Sequence, residues 1–81
     1  MALIRSISRS KTIGTLHPTE VDAEWAQIEL EGHSVFQLST FGSDERKSVP
    51  KVSQTFQLNE TMAQALVDSI VEVFPNLRYE G

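Results

Sequence analysis

The residues that could do chemistry are few and scattered. His17 and His33 fall in segments whose composition reads as turns, with an acidic stretch between them. A metal site needs ligand spacing, such as two histidines on one helical turn, and this pair lacks it. Both read as surface residues. Serines are plentiful, but none sits in a Gly-x-Ser-x-Gly elbow and neither histidine has an orienting carboxylate in view. Gly14, Gly32, Gly42 and Gly81 are too dispersed for a phosphate-cradling loop. Asp44 and Glu45 are adjacent, so on an extended loop they point apart. The sequence therefore offers no catalytic, cofactor-binding or metal-ligating constellation, and the expected function is non-enzymatic.

One cluster stands above this background. Ser43, Arg46, Lys47, Lys51 and Gln54 lie in or beside a single loop, where cationic side chains and turn N–H groups could converge on an anion or a partner. The plainer reading, and the favoured one, is a solvated polar loop in which Asp44 and Glu45 neutralise the bases.

The elements that would position these residues follow from periodicity. Over 24–41 the chain alternates twice. Ala26, Ile28 and Leu30 share one phase against Trp25, Gln27 and Glu29, and Phe36, Leu38 and Thr40 share one against Val35, Gln37, Ser39 and Phe41. This is a hairpin. Placing Ile28 opposite Phe36, with Ala26 opposite Leu38, calls for a loop of odd length around Gly32, because a one-residue slip would turn every side chain to the other face. Residues 42–51 read as a polar loop, and Pro50 holds Val49 extended. Residues 52–58 form a further strand, with Val52, Phe56 and Leu58 inward.

Asn59 has N-cap chemistry and Glu60 suits the positive end of a helix dipole. The helix spans 59–74, since Pro75 cannot continue it. Ala63, Leu66, Val67, Ile70, Val73 and Phe74 form its apolar stripe. Leu66 and Ile70 are expected to be fully buried against Ile28, Phe36 and Phe56. Residues 1–20 form a basic segment that could add an edge strand. The expected fold is α+β, a small antiparallel sheet of three to four strands followed by one C-terminal helix on one face (β-β-β-β-α), as a single domain over residues 1–81.

The charge pattern bounds the partners. The chain of 81 residues has a net charge of −4, whereas a nucleic-acid-binding domain is normally basic. Residues 1–19 carry only Arg5, Arg9 and Lys11, and residues 20–31 carry only Glu20, Asp22, Glu24, Glu29 and Glu31. The simplest cause is a basic segment lying beside an acidic strand. There is no cysteine, which fits a reducing cytoplasm, and no apolar run of signal-peptide or membrane-span length.

The second sheet face, with Trp25, Gln37 and Phe41 among glutamines and hydroxyls, has no second helix to cover it and is the candidate interface. A small domain with one uncovered face has physical reason to form a homodimer or to bind another protein. Binding of nucleic acid by the Arg46–Lys51 loop and the basic arm is the alternative. Residues Phe41 to Lys47, Lys51 to Leu58, Ala65-Leu66 and Phe74-Pro75 resemble a group of short, uncharacterised bacterial proteins, over roughly 24–77. That resemblance implies a self-contained bacterial domain and carries across no activity, no cofactor and no functional residues.

Overall fold

A computed structural model describes residues 1–42 and 52–78. It has an α+β fold: β1 (Ala2–Leu3), β2 (Ala23–Leu30), β3 (His33–Phe41), β4 (Val52–Leu58) and α1 (Glu60–Val73), with the strands in the order β1-β4-β3-β2. The β2–β3 and β3–β4 pairs are antiparallel, but β1 runs parallel to β4. The sheet is therefore mixed rather than wholly antiparallel.

The N-terminal edge strand is only two residues long. After the Ile4 N–H bonds to the Gln57 carbonyl at 2.9 Å, the chain leaves the sheet edge and enters no regular element before β2. Its composition explains why. Ser10 Oγ accepts from the Thr12 N–H at 2.9 Å and His17 Nδ1 from the Thr19 N–H at 3.1 Å, so short polar side chains take up donors that a ladder would need. This segment must cross from the β4 edge to β2 at the far edge. The basic segment and the acidic strand consequently begin on opposite edges, and the expected cross-strand pairing between them does not form. Arg9 instead meets Glu72 of α1 at 2.8 Å, with both side chains largely exposed.

The β2–β3 turn corrects the expected register. Leu30 pairs with His33 across a two-residue turn, Glu31-Gly32. Glu31 has φ 54° and Gly32 φ 79°, the two left-handed positions of a type I′ turn, whose twist matches that of the flanking strands. Glycine adopts this freely, while Glu31 does so against its own Cβ. The loop is even, not odd. Ile28 therefore lies opposite Val35, Ala26 opposite Gln37, Trp25 opposite Leu38 and Gln27 opposite Phe36.

The register sorts the faces. Phe36, Leu38, Phe56 and Leu58 share one face of β3 and β4, and α1 packs there. Leu58, 1% exposed, is the only fully buried hydrophobic residue among those described. On the reverse face Gln57 Nε2 donates to Gln37 Oε1 at 2.9 Å, and the Ser39 and Thr55 hydroxyls lie 3.0 Å apart. That face is a satisfied polar ladder, which is why Ser39 can be buried.

Helix α1 begins as its sequence dictates. Asn59 is the N-cap, its Oδ1 accepting from the Met62 N–H at 2.9 Å and its carbonyl from the Ala63 N–H at 2.8 Å. Phe74 closes the last turn on the Ile70 carbonyl before Pro75. The stripe is only partly seated, however. Ala63, Leu66 and Val67 are half-buried, but Ile70, Val73 and Phe74 are exposed. The expectation that Leu66 and Ile70 are fully buried fails, and Ile28 lies on the opposite sheet face from Phe36 and Phe56. A helix of fourteen residues is about 21 Å long. It touches β3 and β4 alone among the strands, so its C-terminal half runs beyond its support. Among the described residues no helix is long and apolar enough to cross a membrane.

Candidate interaction surface

The helix covers the two middle strands and leaves β2 bare on both faces. Every residue of β2 is exposed. Trp25 is 70% exposed and stacks on Phe36, with ring centroids 5.9 Å apart and planes inclined by 17°. The Phe36 ring fixes the orientation of the indole, and an offset stack of this kind contributes about 0.5–1.5 kcal/mol beyond area burial. Between this hairpin face and the start of α1 lies an open cleft of about 730 Å³, lined by Trp25, Gln27, Phe36, Leu58, Asn59 and Ala63 among others. Its lining combines aromatic and aliphatic residues with amide side chains and the first turn of α1.

A second apolar area lies on the reverse face of the hairpin. Ile28 is 39% exposed and Leu30 71%, in the same phase as Ala26 and flanked by Val35. A third is the end of α1, where Val73, Phe74 and Leu77 are open.

The interface expected from the sequence is divided by this geometry. Trp25 lies on the helix side of the sheet, whereas Gln37 and Phe41 belong to the reverse face. They do not form one patch. The cause is the even turn, which shifts β2 by one residue against β3 and carries Trp25 to the same side as Phe36. Phe41 is half-buried, its N–H donating to the Asp22 carbonyl at 3.0 Å, and it pairs with Val52 next to a β-bulge. Gln37 is held by Gln57.

Of the candidate anion or partner loop, Ser43, Arg46, Lys47 and Lys51 lie outside the described residues, as does all of the expected 42–51 loop after Gly42. Gln54 is exposed and pairs with Thr40. His17 and His33 are both exposed. No group of three or more His, Cys, Asp or Glu side chains among the described residues could hold a metal ion. No buried side-chain nitrogen or oxygen among them lacks a hydrogen-bond partner, so no interior polar atom there marks a ligand site.

Sequence reasoning missed the most prominent feature, the bare edge of β2. The alternation of 24–30 marks a strand, but strand order decides whether it lies at an edge. One signal was present: the strand has only two charged residues, Glu24 and Glu29, both acidic, and no proline or lysine of the kind that commonly protects an edge. Comparison with protein-family models, with curated proteins and with solved structures finds no match for this chain.

Proposed function

We propose that this protein is a non-enzymatic interaction module that self-associates and binds another protein through its hairpin. The observation that carries this reading is the incompleteness of the core. Leu58 alone is fully buried among the described hydrophobic residues, while Trp25, Leu30, Val73 and Phe74 are all at least 60% exposed. Of these, Trp25 stands stacked on Phe36 beside the open cleft, and an exposed ring continuous with other apolar surface marks a contact site.

Contact through the hairpin would cover the outer side of Trp25 and fill the cleft beside it. Aromatic rings held rigid by a neighbour suit such contacts, because little side-chain freedom remains to be lost on binding.

Sedimentation velocity over a dilution series tests the proposal. The expected result is a concentration-dependent dimer, shifted towards monomer by Trp25→Ser. A wild-type chain that stays monomeric at its highest soluble concentration refutes self-association.

A further inference from the structure

We infer that two copies of this chain join edge to edge through β2, antiparallel about a two-fold axis at Ala26, making one continuous sheet across the dimer. This deepens the reading above and rests on it. The first warrant is the direction of the backbone groups. The Phe41 N–H bonds to the Asp22 carbonyl at 3.0 Å, and Leu30 closes the turn with His33. Since hydrogen-bonded and non-bonded pairs alternate in an antiparallel ladder, the even-numbered residues of β2 direct their N–H and C=O groups to β3. Ala23, Trp25, Gln27 and Glu29 direct theirs outward. β2 is an end strand of the sheet, so these groups form a regular template for another strand.

The second warrant is charge, which selects the occupant and its register. A strand related by a two-fold axis normal to the sheet pairs odd residues with odd and even with even, so the axis passes through a single residue. An axis at Trp25 sets Glu24 diagonal to its own mate, and an axis at Ile28 does the same to Glu29. Both are acid against acid, and like charges at close cross-strand positions are destabilising. An axis at Ala26 puts Glu24 opposite Ile28, Trp25 opposite Gln27 and Ala23 opposite Glu29. No acid within β2 then adjoins an acid of the second β2. Every outward N–H and C=O from Ala23 to Glu29 also finds a partner in this register. An axis at Gln27 keeps the acids apart but pairs Ala23 with Glu31, a turn residue at φ 54°, and loses the end of the ladder. The Ala26 register is thus self-complementary in both charge and hydrogen bonding, and it brings the two Trp25 rings to the same face, between the two helices.

Two substitutions test the inference. Gln27→Pro deletes an outward N–H that β3 does not use, so the monomer keeps its fold, and the dimer Kd should rise by about tenfold or more. Ala26→Cys puts one thiol at the axis, in a non-hydrogen-bonded pair with Cα atoms about 4.5 Å apart, within disulfide reach. As the chain has no other cysteine, mild oxidation should give a covalent dimer. Leu30→Cys, whose two copies would stand about 26 Å apart, should give none. A wild-type dimer that survives Gln27→Pro, with Ala26→Cys uncross-linked, overturns the edge pairing and leaves self-association standing. A monomeric wild type overturns both. If Gln27→Pro does not fold, the cysteine pair decides alone.

Discussion

Leu58→Ala is the most informative test of what holds the monomer together. Leu58 is 1% exposed at the end of β4, on the face packed by α1 and one residue before the N-cap Asn59. Its truncation removes buried methyl groups and leaves a cavity that the first turn of α1 cannot fill, because Asn59 and Met62 fix that turn by a 2.9 Å hydrogen bond. Removing a buried leucine of this kind costs about 3–5 kcal/mol. Leu66, half-buried on the facing helix, should lose about half as much on truncation, since only its enclosed part is transferred to water. A chain of 81 residues has a total stability of roughly 4–12 kcal/mol. Leu58→Ala therefore consumes a large share of it and should lower the melting temperature by about 18–30 °C. Urea titration followed by far-UV circular dichroism, at one fixed dilute concentration so that association does not enter, reads both variants. The midpoints should fall in the order wild type, Leu66→Ala, Leu58→Ala, with the slope unchanged. A Leu58→Ala midpoint at or above that of Leu66→Ala would refute the placement of the core beneath the start of α1.

The type I′ turn makes two opposed predictions in the same assay. Glu31→Asn should stabilise by up to about 1 kcal/mol, because asparagine tolerates left-handed backbone better, whereas Gly32→Ala should destabilise by about 1–2 kcal/mol. No atom lies within 4 Å of a Cβ added at Gly32, so that loss would be backbone strain alone. Asn59→Ala should cost about 1 kcal/mol through the lost N-cap, and a Ser replacement at this position should restore most of it. Fluorescence anisotropy with labelled oligonucleotides at physiological salt should show no binding tighter than about 10 µM, near the weak end of non-specific binders. Submicromolar binding lost on replacing Arg5, Arg9 and Lys11 with alanine would revive the nucleic-acid alternative.

What was legible in the sequence depended on the range of the interaction that decides it. The N-cap at Asn59 and the stop before Pro75 are written in single residues acting on their own backbone, and both stand where expected. The strands over 24–41 and 52–58 follow from alternation and match closely. The hairpin register failed on one residue. Pairing Ile28 with Phe36 and Ala26 with Leu38 calls for an odd loop around Gly32, whereas the chain turns on Glu31-Gly32 and pairs Ile28 with Val35 and Ala26 with Gln37. That Glu31 also takes φ 54° is against its intrinsic preference. It is imposed by the pairing of Leu30 with His33, and local composition carries no trace of it. Everything downstream of that turn moved with it, including the division of Trp25 from Gln37 and Phe41. The place of β1 beyond β4 was equally hidden, because nothing between Ile4 and Asp22 states which edge the chain comes from.

The same turn links the fold to the proposed assembly. By carrying Trp25 to the helix side, it puts the one tryptophan beside Phe36, at the margin of the area that α1 covers, instead of on the polar reverse face with Gln37 and Ser39. Had the loop been odd, Ala26 and Ile28 would face the helix, and Trp25 would stand over the Gln37–Gln57 and Ser39–Thr55 ladder. That ladder already satisfies its own hydrogen bonds, and a ring on it would gain little. In the observed register the apolar surface beside the helix continues sideways onto β2, an end strand with β3 on one side only. Surface that α1 is too narrow to cover and backbone that β3 does not bond thus meet on one strand. A second strand laid along β2 would satisfy both deficits together, which is the physical reason to expect the contact there rather than at the exposed end of α1.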